Sequence, residues 1–127
     1  MTDDPASRIR DFHVHLYFDA DEADRARSVA GEVQRRFGAA VGHFHPRPVG
    51  PHPRGSVQLT VPTARFGAVA TWLALGRDGL TVFAHPSTGD DLADHTRHVI
   101  WFGGSEPLGT EMFGQGLSIS KTRKEQS

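Results

Sequence analysis

Alternation of apolar and polar positions marks four strands along the chain. In Asp11–Phe18, residues Phe12, Val14, Leu16 and Phe18 take one side and His13, His15 and Tyr17 the other. That period of two, rich in aromatic and β-branched residues, predicts a strand. Ala40–His45 is a shorter candidate. Ser56–Val61 alternates again, with Val57, Leu59 and Val61 inward and Ser56, Gln58 and Thr60 outward. Leu80–His85 sets Leu80, Val82 and Ala84 against Thr81, Phe83 and His85. Helical spacing appears twice. Ala26, Val29, Ala30, Val33 and Phe37 form one stripe, behind an acidic start and ahead of Gly38, a C-terminal cap. Ala64–Leu75 carries Phe66, Val69 and Leu73, with Thr63 expected to cap it and Gly76 to close it. After a turn and short helix across His85–His98, Val99–Phe102 is an apolar anchor.

The order β-α-β-β-α-β predicts an α+β, ferredoxin-like sandwich with a C-terminal extension. Residues 1–9 read as a loose arm, 10–117 as one domain and 118–127 as a frayed tail. Right-handed crossovers put both helices on one sheet face. The other face then holds His13, His15, Tyr17, Ser56, Gln58, Thr60, Thr81, Phe83 and His85. A second subunit in a dimeric, barrel-type assembly, or the C-terminal extension, would cover it. The expected strand order is 4-1-3-2, with strands 1 and 3 parallel in the centre and 2 and 4 antiparallel to them. On that arrangement His13, His15, His43, His45, His52 and His85 meet at one edge.

Composition narrows the chemistry. The 127 residues include no cysteine, which excludes disulfides, thiol nucleophiles and thiolate metal sites. Fourteen basic against fifteen acidic side chains give no field for a polyanion, so no nucleic-acid partner is expected. No apolar run approaches the roughly 18 residues of a spanning helix, and the N-terminus does not read as a signal peptide. No membrane partner and a cytoplasmic location are therefore expected. Eight histidines against one tyrosine stand out. Imidazole ligates Fe, Zn, Cu and Ni, and it titrates near neutrality. An H-x-H pair on a strand puts both rings on one side, at a Cα spacing of roughly 6–7 Å. The plain reading of His43 is an edge-strand residue. For His95 and His98 it is a wet helix face paired to Asp91 and Asp94.

Three strings carry a family likeness. His13-Val-His15-Leu-Tyr17-Phe18-Asp19, His45-Pro-Arg-Pro48-Val49-Gly50-Pro51-His52-Pro53, and the run from His85-Pro86 through Thr88-Gly89-Asp90-Asp91-Leu92-Ala-Asp94-His95-Thr96 to His98 resemble the DOPA 4,5-dioxygenase family of fungi and bacteria. The likeness spans about Asp11 to Gly103. It implies a small ferredoxin-like subunit, usually dimeric, and extradiol cleavage of a catechol such as L-DOPA by O2 at non-haem Fe(II). Zinc or another divalent metal is a possible occupant of a purified sample.

On this reading His13, His15, His52 and His85 hold the metal. His45, His95 and His98 move protons or orient the ligands. Tyr17, Gln58 and Arg54 face the substrate, with Arg47 and Arg97 as other anchors for a substrate carboxylate. The competing reading is a non-catalytic, His-rich dimer that binds metal or a small molecule. A pure interaction domain, with dispersed histidines, is the third.

Overall fold

A computed structural model describes residues 4–115. The proposed tail from residue 118 lies outside them. Among the described residues, five strands form one antiparallel sheet: β1 (Asp11–Tyr17), β2 (Ala40–His45), β3 (Ser56–Val61), β4 (Val82–Ser87) and β5 (Ile100–Phe102), in the order β2-β3-β1-β4-β5. The helices are α1 (Ala23–Phe37), α2 (Thr63–Gly76), α3 (Asp91–Asp94) and α4 (Glu111–Gln115). The expected order of the first four strands is present, and the apolar anchor is a fifth strand pairing with β4. The proposed loose arm contains a short 3-10 turn, Pro5–Arg8, capped by Asp4. No helix among the described residues is long and apolar enough to cross a membrane.

One expectation fails. β1 and β3 are antiparallel, with Phe12 opposite Val61 and Tyr17 opposite Ser56. A crossover through α1 makes β1 and β2 run the same way, and the β2–β3 connection reverses the chain between them. The start of β1 and the end of β4 thus share one end of the sheet, while the end of β2 and the start of β3 share the other. The histidines do not meet at one edge.

The core lies between the sheet and α1 and α2. Val14, Leu16, Leu59, Val61, Val82 and Ala84 meet Val29, Val33, Val69 and Leu73 there, all buried. Phe12 stacks on Phe66, with centroids 3.9 Å apart. α1 ends at Gly38, whose φ of 74° is the left-handed cap that glycine adopts without strain. α2 departs from its expected caps. Thr63 is its first residue and Pro62 the N-cap position, which suits a residue at the helix entrance better than a side-chain cap. Gly76 lies within the helix, where a Cβ would come within 2.7 Å of the Trp72 indole. Glycine there serves packing.

Candidate functional site

Side chains alternate across a strand, so Asp11, His13, His15 and Tyr17 all leave β1 on the face away from α1 and α2. His85 sits directly across from His13 on β4, and Phe83 across from His15. Three imidazoles therefore converge on this face: His13, His15 and His85 each offer a nitrogen within 4.8 Å of the others. His15 and His85 are buried and face each other through their Nε2 atoms at 3.2 Å.

The hydrogen bonds assign protons. The Pro86 carbonyl can only accept, so His85 Nδ1–H donates to it at 2.9 Å. In neutral His85 the lone pair then lies on Nε2, toward His15. Burial, opposed by the Pro86 bond, lowers the His85 pKa to about 4. Burial first, and then the neighbouring histidines, push His15 well below the ordinary imidazole value. Both rings are neutral at pH 7, the state that ligates metal. Two bonds of about 2.1 Å to one cation subtend ~100° across a 3.2 Å nitrogen gap. That lies between octahedral and tetrahedral angles, so the donor set fits a divalent cation.

Asp11 was not among the expected site residues. Its Oδ1 is buried without a hydrogen bond among the described residues, and it lies 3.4 Å from His13 Nε2. The signal was present in the sequence: D-x-H-x-H at period two places the carboxylate on the imidazole face.

His52 reaches the same face from the β2–β3 loop. Its ring lies 4.2 Å from that of His15, between centroids, and its Nδ1 is 2.8 Å from the Tyr17 hydroxyl. Tyr17 is fully buried, and burial raises its pKa, so the phenol keeps its proton. Donating that proton to Nδ1 satisfies the hydroxyl and leaves neutral His52 with N–H at Nε2. Burial lowers the His52 pKa to about 4. A cleft of about 460 Å³ opens beside these rings, lined in part by His15, His45, His52, Val49, Gln58 and Thr60.

The sequence profile of the Dopa 4,5-dioxygenase family matches residues 12–112. The chain belongs to that family. The family's DOPA 4,5-dioxygenase from Amanita muscaria is 35% identical over 111 residues, covering 80% of this chain and 49% of that protein. An uncharacterised 21.2 kDa protein of Botryotinia fuckeliana is 32% identical over 91% of this chain and 66% of its own length. The chain thus spans about half to two thirds of these curated relatives. A crystal structure of a provisionally assigned dioxygenase from Nostoc punctiforme is 38% identical, with a TM-score of 0.84 over 92% of this chain and 100% of that one.

Within this family frame, the structure sorts the expected residues. His13, His15 and His85 cluster, whereas His52 is bonded to Tyr17 and packs at a tilt against His15. His95 packs on His85 at 4.2 Å, below Phe113 at 4.6 Å. It donates Nδ1–H to the Asp91 carbonyl at 2.7 Å, which leaves Nε2 with a lone pair when the ring is neutral. His45 lines the cleft beside His43, the expected bystander, which lines it too. Gln58 is in the cleft and donates to Thr60 Oγ1 at 3.2 Å.

Three residues stand elsewhere than expected. Tyr17 has no exposed surface, and its hydroxyl is bonded to His52 rather than open to the cleft. Arg54 is engaged by Glu106 (2.8 and 3.1 Å), Asp19 (3.1 Å) and Glu22 (3.4 Å). It ties the β2–β3 loop to the C-terminal segment, as does the Gly109 N–H donating to the Pro51 carbonyl at 2.8 Å. His98 lines a different cavity, on the helix side of the sheet. α3 ends at Asp94, so three-residue helical spacing does not carry His98 to the side of His95.

Proposed function

We propose that this protein is a metal-dependent extradiol dioxygenase that opens a catechol ring, L-DOPA or a close analogue, with O2. One observation carries the reading: the His13, His15 and His85 nitrogens gather within 4.8 Å on a largely covered sheet face. The family's dioxygenase members support it. His13, His15 and His85 would hold the metal, with Asp11 beside His13. When bound, ferrous iron supplies Lewis acidity toward the catechol oxygens and redox chemistry toward O2. The overall change cleaves one ring carbon–carbon bond and places both oxygen atoms of O2 in the product.

The chain's own groups position the substrate and move its protons. The 460 Å³ cleft beside His15 and His52 is within the usual size of small-ligand sites. Gln58 offers an amide to a substrate hydroxyl. The lone pair of His95 accepts a proton, and the Nε2–H of neutral His52, set by Tyr17, donates a hydrogen bond to a substrate oxygen. His45 lies at the cleft wall as a further relay. Phe83, Trp101 and Phe113 exclude water from the His85–His95 side, since their rings pack against each other or against His95. The ferredoxin-like subunit is expected to work as a homodimer.

The test is anaerobic loading of metal-free protein with Fe(II), then addition of L-DOPA or 4-methylcatechol and labelled O2. The reading predicts one O2 consumed per ring, a yellow product and both labelled atoms retained in it. Stoichiometric metal uptake without O2 consumption across the catechols would support the non-catalytic binder instead. Failure to take up metal would overturn both.

A further inference from the structure

The segment after β4 serves both sides of the sheet. His85 and His95 go to the imidazole face, but Pro86, Thr88, Asp90, Arg97 and His98 line a second cavity of about 700 Å³. Strand register fixes its side. Pro86 is opposite Phe12, and Ile100 is opposite Ala84, so these residues share the helix-covered face with the core. Ile9, Phe12, Pro86 and Ile100 give the cavity an apolar wall.

Its side chains of fixed charge are two arginines and one aspartate. Arg8 and Arg97 are exposed at the lining, and among the described residues neither forms an ion pair. The lining's acid, Asp90, accepts from the Ala93 N–H and so caps α3. His98 is held from below. Its Nδ1–H donates to the buried Asp94 carboxylate at 3.1 Å, and Thr88 donates to the same carboxylate through N–H at 2.8 Å and hydroxyl at 2.6 Å. A carboxylate satisfied three times keeps the imidazole in one orientation, with Nε2 as its remaining polar atom at the wall.

We propose that this cavity is a second ligand site, distinct from the imidazole face, for a small monocarboxylate with an apolar body. The apolar wall takes the body, and Arg8 and Arg97 take the carboxylate, the group their planar donors match. A volume of about 700 Å³ suits such a ligand. The inference stands independently of ring-cleavage activity. The two sites share Pro86, whose ring lines this cavity and whose carbonyl orients His85.

The experiment titrates the metal-free, 15N-labelled full chain with 3-phenylpropionate and, separately, with 3-phenylpropionamide. The expected result is saturable amide shifts centred on Ile9, Ala93 and Ile100. Affinity should fall at least about tenfold for the amide, and equally for the acid with the Arg8→Ala/Arg97→Ala double variant, as loss of charge-assisted hydrogen bonds requires. His15→Ala should bind the acid unchanged. Absence of saturable shifts, equal affinity for acid and amide, or shifts centred on His13 and His15 that vanish in His15→Ala would overturn the proposal. Both arginines are exposed, so their replacement does not threaten folding.

Discussion

The two faces of one sheet do different work. Toward the helices, Val14, Leu16, Leu59, Val82 and Ala84 are sealed in an aliphatic core. On the other face the intervening residues are His13, His15, Phe83 and His85, with His52 and His95 folded onto them. The first face gains stability from burial without polar cost. The second buries imidazoles that must stay uncharged, an arrangement that costs stability in acid and presents lone pairs. Because strand period separates the two sets, each can be altered with the other left in place.

The largest effect should come from the aliphatic side. Leu59→Ala should lower unfolding free energy by about 2–5 kcal/mol, as core truncations do. In the fraction that remains folded, metal stoichiometry should be unchanged. Urea titration followed by metal analysis checks both. A fall in stoichiometry in the folded fraction would show that the faces are not separable.

Acid should strike the imidazole side. His85 and His52 have folded pKa values of about 4, and His15 lies well below its ordinary value. Between the unfolded value of about 6.5 and the folded values, the unfolded chain binds more protons. Metal-free protein should therefore lose stability as pH falls from 7 toward 4, with His85 alone accounting for on the order of 3 kcal/mol. Above pH 7 its stability should be flat in this contribution. Urea midpoints at pH 7, 6 and 5 provide the test, and a midpoint that does not fall would contradict the buried neutral rings.

Asp11→Asn should sharpen the division further. It keeps the strand and removes the charge beside His13. Metal affinity should fall about 10–100-fold, the usual effect of losing an orienting carboxylate, with little change in unfolding midpoint. Competition against a chromogenic chelator measures it, and an unchanged affinity would leave Asp11 without a role at the metal.

Most of the scaffold was legible because strand and helix periods are local. The bounds of β2 and β3 match those expected, and Gly38 ends α1 as its position suggests. Relative strand direction is not written in periodicity, so the parallel arrangement of β1 and β3 was open to error. The imidazole face survived that error because membership in a face depends on parity alone. Asp11 obeys the same parity and was legible. The turn after α3 was not, since backbone bonds from Arg97 and His98 to the Ala93 carbonyl decide where His98 goes. Nor was the hold of Glu106 on Arg54, a contact between two irregular segments far apart in sequence.

The smallest expected effect concerns Tyr17→Phe. Losing the hydroxyl beside His52 should cost about 0.5–1.5 kcal/mol. Nitrogen shifts of His52 should move from a single Nε2–H tautomer to a mixture, while His85 keeps its own.

Histidine ring nitrogens also give the most direct test of the central claim. Metal-free protein, 15N-labelled at histidine, is titrated with Zn(II) as a spectroscopically silent stand-in for iron. The account predicts that His13, His15 and His85 each shift one ring nitrogen to a metal-bound position, complete at one equivalent, while His43 and His98 stay unchanged. Shifts confined to His43 and His45, or no saturation at one equivalent, would contradict it.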